Sequence, residues 1–264
     1  MTVLSDTVLS DTSILLVAHG SSRLPTARLA TERLADALRD TALFAQVESC
    51  FLKESPLPSL DLVAGASVVV VPNFAGIGGF TRTIIPELLG LSGPTSRIDD
   101  RLIHYTAPLG AHPALPDLLA QRARALCAQR GLDPARVSLL LIGHGSSRPG
   151  ASATTEAIAA AIRAEKHFAQ VAAAFLEQAP FARNWHDLTD HPDVIALPLL
   201  MSDGAHGTAD IPALFAVPLP DGKRAHLLDA PLSTGDWAAL AVDLIKATVL
   251  PSVGICPLDR TDLR

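Results

Sequence analysis

Two apolar runs mark equivalent points in the two halves of the chain. Ile14-Leu15-Leu16-Val17 opens one, and Val137 to Ile142 opens the other, neither interrupted by a charge. Two more runs follow, Val68-Val69-Val70-Val71 and Val194-Ile195-Ala196-Leu197. Continuous runs of this length suit parallel strands buried on both faces. Between them lie segments such as Ala27 to Leu38 and Thr154 to Arg163, with Ala and Leu at helical spacing. Each half reads strand, helix, strand, helix, strand, loop, short helix, strand, helix. Such alternation predicts a parallel sheet with right-handed crossovers.

The halves are copies. Val-Ala-His-Gly-Ser-Ser-Arg at 17–23 returns as Ile-Gly-His-Gly-Ser-Ser-Arg at 142–148. Phe44-Ala45-Gln46-Val47 returns at 168–171, Phe51-Leu52-Lys53 as Phe175-Leu176-Glu177, and Ala107-Pro108-Leu109 as Ala230-Pro231-Leu232. A nearly constant offset along a whole domain means duplication, with insertions confined to loops. The expected organisation is a disordered leader over 1–12, one domain over 13–132, a second over 133–250, and a tail over 251–264. Gly131-Leu132-Asp133-Pro134 punctuates the join. The expected fold is α/β, with two similar doubly wound parallel-sheet domains facing each other across a cleft.

Composition narrows the function classes. Hydrophobic residues make up 48% of the 264, and charged residues 18%, which argues against disorder. A net charge of −6 disfavours nucleic acid as a partner. The three cysteines, Cys50, Cys127 and Cys256, are far apart and form no C-x-x-C, so neither a disulfide framework nor a cysteine metal site is expected. No apolar stretch reaches the ~20 residues of a membrane helix, and no basic leader precedes an apolar core. A cytoplasmic protein, monomer or homodimer, is expected. Gly76-Ile77-Gly78-Gly79 is followed by no phosphate-binding lysine, so no nucleotide is expected.

The chemistry lies where the copies differ. The second half carries His144 after its first strand, Glu177 after its second, and His206 in the loop after its third; the first half carries His19, Lys53 and Phe80 there. Strand ends of one parallel sheet share a rim, so His144, Glu177 and His206 converge. Two imidazoles and a carboxylate suit a divalent first-row metal with positions left open. A single histidine after a strand is more often structural, and His19 reads that way or as a secondary site residue. Three metal-ligand side chains at three rim positions favour a site at His144, Glu177 and His206. The segments Ser21-Ser22-Arg23 and Ser146-Ser147-Arg148 have two readings of equal weight: anion sites at helix N-termini, or helix caps.

These residues resemble a known family, the sirohydrochlorin chelatases of the CbiX/CbiK type, class II chelatases that need no ATP. The resemblance rests on Leu-Val-Ala-His-Gly-Ser-Ser-Arg, on Phe-Leu-Glu at 175–177, on Gly-Ala-His-Gly-Thr-Ala-Asp-Ile-Pro at 204–212, and on Ala-Pro-Leu-Gly at 107–110. It implies a lyase that inserts Co²⁺ or Fe²⁺, with Ni²⁺ also admissible, into sirohydrochlorin or a related precorrin for cobalamin or siroheme biosynthesis. The metal is then a substrate. His144 and His206 are implied as the catalytic and metal-binding pair, joined by Glu177. The implied substrate carries eight carboxylates, for which Arg23, Arg148, Arg82 and Lys53 are the natural partners; Phe80 would pack on the ring face. The alternative is a tetrapyrrole or metal carrier that uses the same cleft without turnover.

Overall fold

The structure, a computed structural model, describes residues 9–21, 26–146, 150, 152–201, 211–216 and 222–250. The first sheet contains β1 (Thr12–Ala18), β2 (Gln46–Phe51), β3 (Ser67–Pro72), β4 (Thr95–Ile98) and β5 (Arg101–Tyr105) in the order β2-β1-β3-β5-β4. Helix α1 (Thr26–Asp40) connects β1 to β2, α2 (Ile85–Leu88) precedes β4, and α3 (Leu115–Arg130) leaves the sheet. The second sheet contains β6 (Val137–Gly143), β7 (Gln170–Phe175), β8 (Asp193–Pro198) and β9 (Arg224–Leu227) in the order β7-β6-β8-β9. Its helices are α4 (Ala153–Ala164), α5 (Ile211–Phe215) and α6 (Thr234–Val249).

The duplication extends to the register. Ser13 pairs with Gln46 and Ser138 with Gln170, and both central strands are parallel to both neighbours. β1 and β6 are buried at every residue. In both sheets the connection reverses direction between the central strand and the third, which makes that junction the switch point where doubly wound sheets bind ligands.

Three expectations need correction. No full helix joins the second and third strands of either half; one or two 3₁₀ turns do so, Leu60–Leu62 and Ala182–Asp187. Pro56 and Pro58 in the first connection, and Pro180 in the second, are incompatible with a helix interior. The first sheet is not wholly parallel, because β4 pairs antiparallel with β5 through a tight turn at Asp99. The loose leader expected through Thr12 ends earlier, since Leu9 is fully buried in the first core and Thr12 already belongs to β1.

The terminal helices of the two halves are exchanged. Leu115, Leu119 and Ala123 of α3 pack with Leu139, Leu141 and Ile195 of the second sheet and with Ile158 of α4. Ala238, Ala241 and Ile245 of α6 pack with Ile14, Leu16, Val69 and Val71 of the first sheet and with Leu34 of α1. Residue 132 therefore divides the repeats without dividing the cores. Polar ties support the exchange. Arg122 of α3 binds both carboxylate oxygens of Asp236 on α6, at 2.9 and 2.8 Å. Asp236 also completes a capping box with Ser233 at the start of α6. His112 is buried ahead of α3 and accepts the Ala114 N–H at Nδ1, which leaves its Nε2–H for Asp243 of α6 at 3.2 Å. No helix of the described residues is long and apolar enough to cross a membrane.

Leu119 is fully buried in the second core although it belongs to the first repeat. Leu119→Ala is expected to cost about 2–5 kcal/mol. Urea unfolding should show the loss as a lower midpoint with an unchanged slope.

Candidate functional site

The site is built where the central strands stop. β1 runs out at Ala18 and β6 at Gly143, and a histidine then a glycine follow each. Gly20 and Gly145 both have positive φ, +67° and +71°. A Cβ on Gly145 would lie 2.8 Å from Phe175 Cβ and 2.7 Å from Gln178 Cγ, and one on Gly20 would lie 2.8 Å from Phe51 Cβ and 2.9 Å from Glu54 Oε1. Only glycine lets the chain turn here against the second strand.

This turn fixes each imidazole. His19 Nδ1 lies 3.0 Å from the Gly20 carbonyl oxygen and His144 Nδ1 lies 2.8 Å from that of Gly145. A carbonyl only accepts, so Nδ1 carries the proton and the Nε2 of each neutral ring carries the lone pair. The neighbouring strand ends are tied on by backbone bonds. Lys53 N–H donates to His19 O at 3.1 Å, and Glu177 N–H to His144 O at 3.0 Å. One position later, the Glu54 and Gln178 side chains accept the N–H of Ser21 and of Ser146, at 2.8 and 2.9 Å. The backbones of the two rims are thus equivalent, and the side chains they present differ.

The first rim is aromatic and cationic. Phe80 opens a π-helical turn, Phe80–Ile84, and meets His19 edge-on at 5.0 Å between centroids. Phe74 stacks on Phe80 at 6.0 Å. Burial lowers the His19 pKa from its ordinary 6.5, the hydrogen bond to the Gly20 carbonyl opposes that, and the charges of Lys53 and His144 depress it further. His144 is thus among the charges that act on His19. Arg28 secures the first rim by pairing with Glu32 at 2.7 Å, approaching Glu54 at 3.8 Å, and lying over Phe51. Across the halves, Ile77 N–H donates to Thr154 Oγ1 at 3.0 Å, and Gly76 leaves room for that threonine.

A family model described as CbiX matches residues 13–126 and 138–258. The chain belongs to the CbiX family of sirohydrochlorin chelatases. A probable sirohydrochlorin cobaltochelatase of Halobacterium salinarum is 31% identical over 222 residues, which cover 76% of this chain and 75% of that one. DR2241 of Deinococcus radiodurans, a multi-domain protein with structural similarity to chelatases, aligns with a TM-score of 0.73 at 28% identity. That alignment covers 90% of this chain but 55% of the Deinococcus protein, so the chain spans about half of its length. CbiX, described as the terminal enzyme for biosynthesis of siroheme in denitrifying bacteria, aligns with a TM-score of 0.65 at 27% identity, over 89% of this chain and 98% of that one. SirB of Bacillus subtilis with Fe³⁺ shares the fold, with a TM-score of 0.68 at 19% identity.

Within this CbiX chain, the structure places His144 and Glu177 side by side on the second rim, both exposed. His206 lies outside the described residues, as do Ser22, Arg23, Ser147 and Arg148. Among the described residues no three metal-ligating side chains come together. His19, Lys53 and Phe80 meet on the first rim, and Arg82 is exposed within the π-helical turn. Ser21 and Ser146 do not start helices. α4 begins at Ala153 after Ser152, α1 begins at Thr26, and the Ser21 and Ser146 amides bind side chains of the second strand's loop. Sequence reasoning passed over Glu54, Gln178 and Phe74. The first two directly follow the Lys53/Glu177 difference, so the same internal alignment held the signal.

His19 is expected to titrate below 6.5 by NMR, and Lys53→Met to raise its pKa. As pH falls below about 6.5, the unfolded chain takes up this proton first, so stability falls with pH between the unfolded and folded pKa values. An ordinary His19 pKa, unmoved by Lys53→Met, contradicts the account.

Proposed function

We propose that this protein inserts Co²⁺ or Fe²⁺ into sirohydrochlorin or a closely related precorrin without ATP, using the second rim as its metal-handling side. The observation that carries this reading is the rim asymmetry: equivalent backbones present Glu177 beside His144 on one side and Lys53 with Phe80 beside His19 on the other. A cation is attracted to the second rim by Glu177 and repelled from the first by Lys53. Names among the relatives support both metals, since one is called a cobaltochelatase and SirB structures hold Fe³⁺ or cobalt.

Insertion removes two pyrrole N–H protons and delivers a cation to the ring centre. In this reading the metal meets His144 through Nε2, because Nδ1 is committed to the Gly145 carbonyl. Glu177 balances charge and orients or ligates, and His206 completes the set. Open coordination positions face the cleft, since a closed site could not release its metal. Once the metal has passed to the ring, His144 Nε2 is free to accept one of the two pyrrole protons, and solvent takes the other. On the opposite side Phe80 packs against the macrocycle, and Lys53 and Arg82 pair with its peripheral carboxylates. His19 supports the first rim and is secondary.

The test combines apo-protein, sirohydrochlorin and either metal, followed by absorbance. His144→Ala should slow insertion by on the order of 10²-fold, and Glu177→Gln by about 10- to 100-fold. His19→Ala should cost much less. Equal losses at His19 and His144 in normally folded variants refute the asymmetry. Tetrapyrrole binding without turnover by the unaltered protein identifies a carrier instead.

A further inference from the structure

A cavity of about 260 Å³ lies between the two halves, apart from the histidines. Arg33 of α1 and Asn73 after β3 line it from the first repeat, as does Leu119 of the exchanged helix α3; Leu199 after β8 and Trp237 of α6 line it from the second. Its roof is one hydrogen bond from both rims. Asn73 N–H donates to Val17 O at 2.8 Å, and Leu199 N–H to Ile142 O at 2.8 Å. Val17 and Ile142 each stand two residues before a rim histidine.

The lining is amphipathic. Its walls are largely aliphatic, and Arg33 is the one cation among the described lining residues. Arg33 is exposed and makes no ion pair among the described residues. Asn73 is buried, with Nδ2 donating to Thr31 Oγ1 at 3.0 Å and Oδ1 accepting no hydrogen bond. A buried acceptor without a protein donor is open to a donor from a water or a ligand in the cavity. Asp229 also contributes to the lining and, like Arg33, is exposed. The volume falls below the range of pockets that enclose whole drug-sized ligands. It is too small for a macrocycle with eight arms and suits a short carbon arm ending in a carboxylate.

We propose that one carboxylate arm of the tetrapyrrole enters this cavity and pairs with Arg33, so that the ring is held with its centre between the rims. Its methylene groups lie against Leu119 and Trp237, and a water carried in with it supplies the donor that Asn73 Oδ1 lacks. This deepens the chelatase reading and rests on it. Arg33 is a substrate-positioning residue, and the arm it holds sets the ring's rotation over His144.

The test is an absorbance titration with metal-free sirohydrochlorin, which reads binding apart from insertion. Arg33→Gln removes the charge from an exposed helical position, and Ala30→Leu, on the same helix and in the same lining, fills volume without touching charge. Both dissociation constants should rise about tenfold or more, at unchanged thermal midpoints. The unaltered protein should lose affinity with salt more steeply than Arg33→Gln. Wild-type affinity in both variants overturns the proposal. A loss in Arg33→Gln alone leaves the arm on the open surface and overturns it too, and a loss in Ala30→Leu alone overturns the pairing with Arg33. Arg33-dependent binding without metal insertion leaves the arm site standing and sinks the chelatase reading; insertion with binding indifferent to Arg33 does the reverse.

Discussion

Helix exchange is the constraint on which the rest of this protein depends. Each sheet buries one apolar face under a helix from the other repeat, α3 over the second sheet and α6 over the first. Neither core is complete without the other half, and Trp237 packs against both. Apolar burial of this kind is non-directional but large, and it resists separation of the halves. The polar ties Arg122–Asp236 and His112–Asp243 add direction by fixing how α6 lies on its neighbours. As a result the C-terminal edges of two separate sheets are held facing one another, as a site assembled from both requires.

On that frame, duplication has produced two equivalent rim backbones with opposite chemistry. The His-Gly turn recurs with the same positive φ, the same imidazole-to-carbonyl bond and the same tie to the second strand. Glycine is required because the turn presses on Phe51 in one half and Phe175 in the other. What differs is Lys53 for Glu177, Glu54 for Gln178, and the aromatic pair Phe74 and Phe80. Burial and the charge of Lys53 lower the His19 pKa, and a lysine there opposes a cation, while the carboxylate beside His144 attracts one. The two rims therefore present unlike walls, one aromatic with a cation and the other with a carboxylate.

The rim residues and the cavity between the halves divide the work of such a site. In the proposed reading the groups that act on the ring centre stand at the ends of β1 and β6, strands buried at every residue. Groups suited to the ring periphery, such as Lys53, Arg82 and Arg33, are exposed, where a long cationic side chain keeps its hydration until a carboxylate replaces it.

Much of this was legible from residue order. Continuous Val and Ile runs dictate doubly buried parallel strands, because only such strands hide both faces. The repeated His-Gly-Ser-Ser-Arg phrase dictates two equivalent strand ends, and the Lys53/Glu177 contrast sets a cation at one of them against a carboxylate at the other. Other features were decided only by tertiary structure. Helical periodicity states that α3 and α6 each have an apolar face, but not which sheet that face covers, since either sheet offers the same aliphatic surface. Prolines removed the helix expected between the second and third strands of each half, and pairing along an open edge turned β4 antiparallel. The imidazole tautomers, the electrostatic coupling of His19 to His144 and the cavity between the halves all depend on distances between residues far apart in sequence. Local pattern constrains which face of an element is apolar; only packing decides what that face meets.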